Sequence, residues 1–205
     1  LMCVDLHTSQ IQGFFDGPVD HLTAMPVLID YVRNSMKLDN ATIVSPDAGR
    51  IKVSEQWAAK LGDLPLAFIH KTRDITRPNH AEAHGIIGEI KGRDCIVVDD
   101  MIDTAGTICE AVRTLREAGA KSVTLVATHA LLSGPAVERL KAAGVREIIV
   151  TDTVPVPEEK RLDNMTVLSI APLLAAGIRS VFRSGSLVSL RNALPEDMKK
   201  HNIYA

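Results

Sequence analysis

Aromatic residues are scarce in this sequence. They make up 3% of its 205 residues, so the aromatic platforms on which single-stranded nucleic acids stack are not expected. The formal net charge is only −2, which gives no electrostatic reason to predict binding to nucleic acid or to an anionic membrane. No apolar run approaches the ~20 residues that a membrane-spanning helix requires. Nucleic-acid and membrane partners are therefore not predicted.

Cysteine is also rare. The three cysteines, Cys3, Cys95 and Cys109, have the spacing neither of a disulfide framework nor of a zinc ribbon. Unpaired thiols are typical of proteins in reducing compartments. No basic segment followed by a short apolar run indicates a secretory signal. We therefore expect a cytoplasmic location.

The residues that are present suit a globular α/β protein. The sequence is 46% apolar and 23% charged, which predicts a sizeable core. Strand and helix patterns alternate from about residue 24 to residue 182, so we expect a mostly parallel sheet covered by helices on both faces. Ligands of such sheets bind at the carboxyl ends of the strands. Polar residues follow the predicted strands there: His7, Asp47, Lys71 with Arg73, residues 99–107, His129 and Asp152.

Residues 95–108 (CIVVDDMIDTAGTI) predict a buried strand, an acid pair, a small-residue loop and the start of a helix. Small residues let backbone N–H groups approach an anion, and a helix N-terminus favours negative charge. Asp99 and Asp100 can accept hydrogen bonds from vicinal hydroxyls. The stretch therefore predicts a sugar-phosphate site, although the loop alone could be an ordinary strand–turn–helix connection.

Residues 71–85 are polar, aperiodic and interrupted by proline, which predicts a long exposed loop. Lys71 and Arg73 begin it, and their charges could stabilise a migrating phosphoryl group. The alternative is an ordinary solvated basic loop. His80 and His84 have the spacing of a helical zinc site, but without a third ligand or a clear helix the solvated loop is the better interpretation.

Two sets of motifs resemble known families. Residues 97–107 (VVDDMIDTAGT) are similar to the phosphoribosyl-diphosphate loop of type I phosphoribosyltransferases and of ribose-phosphate diphosphokinases. Residues 5–15 (DLHTSQIQGFF) and 19–24 (VDHLTA) resemble the diphosphokinases alone. This resemblance covers nearly the whole chain. It implies a phosphoribosyltransferase-type three-layer α/β/α fold and Mg²⁺-dependent transfer of the diphosphate of ATP to the 1-hydroxyl of ribose 5-phosphate, giving phosphoribosyl diphosphate and AMP.

The resemblance also implies roles for individual residues. Lys71 and Arg73 match the catalytic loop, and Arg73 also matches a ribose 5-phosphate contact. His7 and Asp47 match metal-associated positions. The ribose 5-phosphate site would comprise Asp99 and Asp100 for the hydroxyls and Asp103, Thr104, Ala105, Gly106 and Thr107 for the 5-phosphate.

The resemblance leaves the roles of some residues open. Asp103 could orient the ligand or cap the following helix. Arg50 stands where many family members have a second glycine, which looks like a subfamily variant. Ser9, Gln12 and Asp20 match residues of the regulatory phosphate and ADP site. Residues 185–191 (GSLVSLR) match the family's C-terminal ending only in part, so this regulation is open.

The resemblance further divides the chain. Residues 1–23 would be the tail of an N-terminal phosphoribosyltransferase-like domain, residues 24–182 the C-terminal domain, and residues 183–205 a segment packing back toward the first domain. Alone, the chain would expose an apolar surface and show weak or no synthase activity. A homo-oligomer, often a hexamer, is expected. The alternatives are a salvage phosphoribosyltransferase and a non-catalytic subunit associated with a synthase.

Overall fold

The computed structural model describes residues 1–72 and 83–192, without the side chains of residues 71, 72, 83 and 84. The strands are β1 (Met2–Val4), β2 (Asp20–Leu22), β3 (Ala41–Ser45), β4 (Leu66–Thr72), β5 (Ala83–Ile87), β6 (Asp94–Ile102), β7 (Ser122–Ala130), β8 (Glu147–Thr151) and β9 (Met165–Leu168). The helices are α1 (Met25–Ser35), α2 (Ile51–Lys60), α3 (Gly106–Glu117), α4 (Ala136–Ala143) and α5 (Ala171–Phe182). Short 3-10 helices cover Ser9–Phe14, Ala48–Arg50, Glu158–Lys160 and Val188–Arg191.

The central sheet has seven strands in the order β5-β4-β3-β6-β7-β8-β9. All its neighbouring strands are parallel except β4 and β5, which confirms the mostly parallel sheet. The chain leaves β3 toward β4 on one side and later returns to place β6 on the other side. The boundary between β3 and β6 is therefore the topological switch point, where sheets of this kind form a ligand-binding crevice.

Both faces of the sheet are buried, which confirms the three-layer α/β/α architecture. Val97 on β6 packs into a cluster with α3 and α4, whereas its neighbours Ile96 and Val98 pack into a second cluster with α1, α2 and α5. Val97 and Ile96 are fully buried. Burying each such side chain contributes about 1.5–3 kcal/mol, so the alternating apolar residues of β6 hold the two helix layers together.

The prediction of a loop over residues 71–85 is wrong at both ends. β4 continues to Thr72 and β5 begins at Ala83, and the register pairs Lys71 with His84. His84 thus lies in a strand. Polar residues at a sheet edge hide the alternation on which strand prediction depends. Arg73 and His80 lie outside the described residues.

The strand before the acid pair is longer than predicted. β6 continues through Asp99 and Asp100 to Ile102 because β7 pairs with it as far as Ile102 and Ala130. The acid pair therefore sits on the last part of a strand rather than on a loop. This placement fixes the backbone that carries both carboxylates.

The first residues pack against the α/β unit. β1 and β2 form a two-stranded parallel sheet. The Asp5 carboxylate accepts hydrogen bonds from Ala24 N at 2.9 Å and from Thr128 Oγ1 at 2.7 Å. A Cβ on Gly177 of α5 would lie 3.1 Å from both Leu22 and Met2 side-chain atoms, so a larger residue there would have to displace these side chains. The assignment of residues 1–23 to another domain stays a prediction.

Apolar exposure is concentrated near the ends of the described chain. Phe14 is 91% exposed and Phe182 is 86% exposed, and Ile11, Ile178 and Val188 are also at least half exposed. Exposed apolar side chains that lie together are rare on monomeric proteins and are typical of a surface that contacts another protein. Across residues 1–72 and 83–192, none of the helices combines the length and apolar character needed to cross a bilayer.

The Asp94 carboxylate stabilises the start of β6, and the size of this stabilisation depends on pH in a way that can be tested. Its carboxylate accepts from Ser122 Oγ at 2.7 Å and from Asn40 and Lys121 at 3.3 Å. The Ser122 hydrogen bond, outweighing burial, lowers the Asp94 pKa below its usual value. Because the folded-state pKa lies below the unfolded one, this stabilisation is present above about pH 4 and is lost as the pH falls through the folded pKa.

We therefore expect Asp94→Asn to lower the free energy of unfolding by about 1 kcal/mol at pH 7, and by progressively less in acid. Urea unfolding at a series of pH values measures this difference. Glu55→Gln, a change at an exposed position of α2, is the control and should have little effect. A destabilisation of the same size at every pH would contradict the electrostatic explanation.

Candidate active site

The acid pair lies where the sheet opens. β3 pairs with β6 only as far as Val44 and Val97, whereas β7 remains beside β6 to its end. Asp99 and Asp100 thus follow the last residue that β3 covers. Asp100 is buried, at 9% exposure, and Asp99 is half-buried. Both carboxylates therefore lie at the switch-point crevice.

Arg50 reaches across the switch point to this pair. It ends the 3-10 helix that follows β3. Its Nε lies 3.4 Å from Asp99 Oδ1, and its Nη2 forms an ion pair with Asp100 Oδ2. The sequence analysis identified Arg50 only as a variant position, and no local pattern indicates this contact. The guanidinium covers carboxylate oxygens that a sugar would use, so a ligand must share them with Arg50 or displace it.

The two acids differ in their ionisation. Burial raises the pKa of Asp99 to about 7, and the neighbouring Asp100 charge adds to this while Arg50 opposes it. Burial also disfavours the charged form of Asp100, but the His7 hydrogen bond and the Arg50 charge outweigh it, so its pKa lies below the usual value. Asp100 is therefore ionised at neutral pH, whereas Asp99 changes charge near pH 7.

His7 is brought to the acid pair by the turn after β1. Asp5 has a φ of 42°, in the left-handed region, and its carboxylate anchors the turn. His7 Nδ1 then lies 2.7 Å from Asp100 Oδ2. An ionised carboxylate only accepts, so Nδ1 donates, and in the neutral imidazole Nε2 then carries the lone pair that a ligand can use. Metal-binding histidines commonly donate to a carboxylate in this way.

Asp47 is oriented by its own turn. Its Oδ1 accepts from Gly49 N at 2.8 Å and caps the 3-10 helix Ala48–Arg50. In the part of the chain that the structure describes, no group of three or more His, Cys, Asp and Glu side chains could hold a metal alone. The donors nevertheless fit Mg²⁺, which binds one or two protein groups and keeps waters and phosphate oxygens as its other ligands.

The predicted phosphate loop has the backbone of an anion site. Ala105 has φ 58° and ψ 12°, and α3 begins at Gly106. A left-handed residue followed by helical ones turns successive N–H groups toward one point. The first N–H groups of α3 have no partner within the helix. Ala105 is buried while Thr104 and Thr107 are exposed, so the concave side is open to a ligand.

Asp103 does not occupy the N-cap position of α3, which belongs to Ala105. The interpretation of Asp103 as the cap is therefore wrong, and its orienting role stays a prediction. Neighbouring segments hold the loop instead. The Asp103 carbonyl accepts from Ser133 N at 3.0 Å, and the Thr104 carbonyl accepts from Arg139 Nη1 at 2.9 Å.

Two polar residues at the strand ends have structural contacts. His129 Nε2 lies 2.9 Å from the Asp5 carbonyl and its Nδ1 lies 2.8 Å from Thr153 Oγ1. Asp152 Oδ1 accepts from Ile170 N at 2.8 Å, just before α5. Their position at the carboxyl edge was predicted correctly, but both side chains stabilise loops.

The predicted regulatory residues lie beside β2. Gln12 Nε2 donates to the Ser9 carbonyl at 3.1 Å and lies 3.5 Å from His21 Nδ1. Asp20 N donates to the Leu1 carbonyl at 2.8 Å. Ser9 and Gln12 thus share one turn, and Asp20 begins the adjacent strand. A regulatory role for these residues stays a prediction.

A cleft of about 700 Å³ opens beside the acid pair. Asp99, Asp100 and Arg50 line one part of it, and Thr23 and Trp57 line another. Its size is in the range of small-molecule sites. The acid pair can therefore be reached by a ligand of nucleotide size.

Gly106 provides a test of the phosphate loop. A Cβ at this position would lie 3.4 Å from Arg139 Nη1 and 3.8 Å from Thr104 Oγ1. Gly106→Val should therefore crowd Arg139 and Thr104 at the start of α3, disturb the loop and lower the affinity for a sugar phosphate about tenfold, measured by calorimetry. Gly106→Ala is the matched control, because its single methyl group makes only ordinary contacts and should cost little. Equal affinities for the valine variant and the unmodified chain would contradict the assignment.

The chain is similar to several known proteins. The model of the phosphoribosyl synthetase-associated domain family matches residues 74–191. A ribose-phosphate pyrophosphokinase of Bifidobacterium longum is 65% identical over 198 residues, covering 96% of this chain and 58% of that protein. The Mycobacterium leprae ribose-phosphate pyrophosphokinase is 53% identical over 190 residues, covering 93% of this chain and 58% of that protein.

A solved structure is also similar. The phosphoribosylpyrophosphate synthetase of Mycobacterium smegmatis aligns with a TM-score of 0.81 at 54% identity. The match covers 90% of this chain and 59% of that one. The chain thus spans less than two thirds of the length of these relatives.

Proposed function

Because the chain belongs to the phosphoribosyl synthetase family, we propose that it carries the ribose 5-phosphate site of a ribose-phosphate diphosphokinase. The enzyme would transfer the diphosphate of ATP to the 1-hydroxyl of ribose 5-phosphate and release AMP. The observation that carries this proposal is the acid pair Asp99–Asp100 on the same strand end as the left-handed turn at Ala105. Acceptors for hydroxyls and donors for a phosphate are thus joined by a few residues of rigid backbone.

The charges of the acid pair suit a ribose ring. Asp100 is ionised at neutral pH and accepts hydrogen bonds from hydroxyls, and Asp99 contributes when deprotonated. The 5-phosphate would bind the N–H groups of residues 105–107 at the start of α3. Arg50 would leave or share the carboxylates as the sugar binds, since its guanidinium contacts the same oxygens.

The transfer step needs positive charge around the migrating diphosphate. In the proposed reaction the 1-hydroxyl oxygen forms a bond to the β-phosphorus, and the bond from that phosphorus to the α,β-bridging oxygen breaks. We assign Lys71 and Arg73 to stabilise the charge that develops on the phosphate oxygens. β4 places the Lys71 backbone at the carboxyl edge of the sheet, next to β3.

We propose Mg²⁺ as the metal ion. His7, through Nε2, and Asp47, through a carboxylate oxygen, would hold it together with waters and phosphate oxygens, and its charge would neutralise the triphosphate. His7 fits because Asp100 fixes its tautomer. Cytoplasmic location, homo-oligomeric assembly and regulation through Ser9, Gln12 and Asp20 belong to the same proposal.

The test combines binding and turnover. The 205-residue chain should bind ribose 5-phosphate in calorimetry and give weak or no AMP formation from ATP, ribose 5-phosphate and Mg²⁺. The full-length protein should form AMP and phosphoribosyl diphosphate in equal amounts, detected by chromatography. Failure of both proteins to bind ribose 5-phosphate would contradict the proposal.

The same assay separates the alternatives. A salvage phosphoribosyltransferase would form no AMP from this mixture and would instead consume phosphoribosyl diphosphate with a nucleobase. A non-catalytic subunit would turn over neither mixture and would change the rate of an active synthase added to it. Only stoichiometric AMP formation by the full-length protein itself supports the proposed activity.

A further inference from the structure

Arg139 is an exposed cation at the phosphate loop that the sequence analysis did not identify. It lies on α4, yet its Nη1 donates to the Thr104 carbonyl at 2.9 Å. The same nitrogen lies 3.4 Å from where a Cβ on Gly106 would be. Its charge also reaches Cys109 in the first turn of α3, where it partly offsets the increase in the thiol pKa caused by burial. The guanidinium therefore lies beside the beginning of α3.

The loop itself provides no cation for a phosphate. Residues 103–107 contain one acidic residue, Asp103, and no basic one. A phosphate monoester carries a charge between −1.5 and −2 at neutral pH, because its second pKa is about 6. The helix N-terminus supplies only about half an elementary charge. A neighbouring arginine would offset the charge of Asp103 and favour binding of the dianion.

The hydrogen bond to Thr104 also orients the loop backbone. The peptide bond is planar and trans, so the Ala105 N–H points opposite to the Thr104 carbonyl. By holding that carbonyl, Arg139 directs the Ala105 N–H toward the other side, where the N–H groups of the left-handed turn converge. Among the described residues, no acidic side chain forms an ion pair with Arg139, so its charge is not neutralised locally.

We propose that Arg139 is a positioning residue for phosphate binding, which holds the Thr104–Ala105 peptide and provides the cation of the loop. This inference rests on the proposed function, since it assigns the residue to the same ribose 5-phosphate site. It makes Arg139 a determinant of the preference for the phosphorylated sugar over ribose. The hydroxyl contacts at Asp99 and Asp100 lie on β6 and are independent of it.

The test compares ligands and variants by calorimetry with the 205-residue chain. Arg139→Ala should weaken ribose 5-phosphate binding about tenfold, as expected for the loss of a charge-assisted interaction, and should leave ribose binding unchanged. Arg139→Lys keeps the charge and one donor and should recover most of the affinity. Lys141→Ala is the matched control, because Lys141 is an exposed cation on the same helix. Urea unfolding checks that all variants remain folded.

The outcomes distinguish this inference from the proposed function. Ribose 5-phosphate binding that is unchanged in Arg139→Ala, or ribose binding reduced by the same factor, would overturn the role of Arg139 and leave the proposed function intact. If neither the unmodified chain nor the full-length protein binds ribose 5-phosphate, the proposed function fails, and inorganic phosphate becomes the probe. If Arg139→Ala then weakens the binding of inorganic phosphate, the role of Arg139 in phosphate binding is still supported. If the variant binds phosphate as well as the unmodified chain does, or if neither binds it, that role is overturned.

Discussion

Asp100→Asn is expected to reduce the affinity for ribose 5-phosphate about 100-fold. Asp100 accepts a hydrogen bond from His7 and forms an ion pair with Arg50. We propose that it also accepts hydrogen bonds from the ribose hydroxyls. Hydrogen bonds to a charged group contribute about 1.5–3 kcal/mol each, so the loss of two of them, at the lower end of this range, gives about this factor. The asparagine keeps the shape of the side chain and removes its charge. Calorimetry with the 205-residue chain measures the change.

The control is an acid at the same edge of the sheet. Asp152→Asn changes a carboxylate that contacts the backbone of Ile170, and the amide oxygen can still accept that hydrogen bond. Its affinity should equal that of the unmodified chain. An Asp100→Asn affinity within threefold of the unmodified chain would remove Asp100 from the sugar site.

Asp99→Asn adds a pH dependence to the same experiment. Burial raises the pKa of Asp99 to about 7, so its carboxyl is mostly neutral at pH 6 and mostly charged at pH 8. The variant should therefore bind ribose 5-phosphate nearly as well as the unmodified chain at pH 6 and more weakly at pH 8. Equal losses at both values would show that the charge of Asp99 is not used.

The elements that were predicted well depend on local sequence. The helices of the predicted alternation have local limits: Pro135 and Gly144 lie at the two ends of α4, and a polar stretch follows α5. Gly144 adopts φ 59°, as expected for a residue that ends a helix. The phosphate loop was also predicted from local sequence, since small residues and a helix start are adjacent in the chain.

The contacts that complete the site depend on long-range packing and left no local pattern. His7 meets Asp100 across 93 positions, and Arg139 meets Thr104 across 35. Arg50 follows a turn whose direction is set by the sheet order, so its ion pairs require β3 and β6 to be neighbours. The strand ends were misjudged for a related reason: β6 extends past the acid pair because β7 pairs with it, which its own polar residues do not indicate.

Lys71→Ala is expected to lower the rate of phosphoribosyl diphosphate formation by the full-length protein about 1,000-fold. A positive charge held at the migrating phosphoryl group stabilises the transition state more than the ground state, and removing one such group typically costs this much. β4, which carries the Lys71 backbone, is not a neighbour of β6, which carries the acid pair. Ribose 5-phosphate affinity should therefore stay within twofold, so the effect falls on turnover.

Two further variants make this separation specific. Lys91→Ala removes an exposed lysine just before β6, at the opposite edge of the sheet, and should change neither quantity. Lys71→Arg keeps a cation with a different geometry and should recover only part of the rate, since a planar fork cannot place its charge where an ammonium does. If Lys71→Ala turns over within a few-fold of the unmodified protein, the charge for diphosphate transfer comes from another residue. A parallel loss of ribose 5-phosphate affinity would instead place Lys71 in the sugar site.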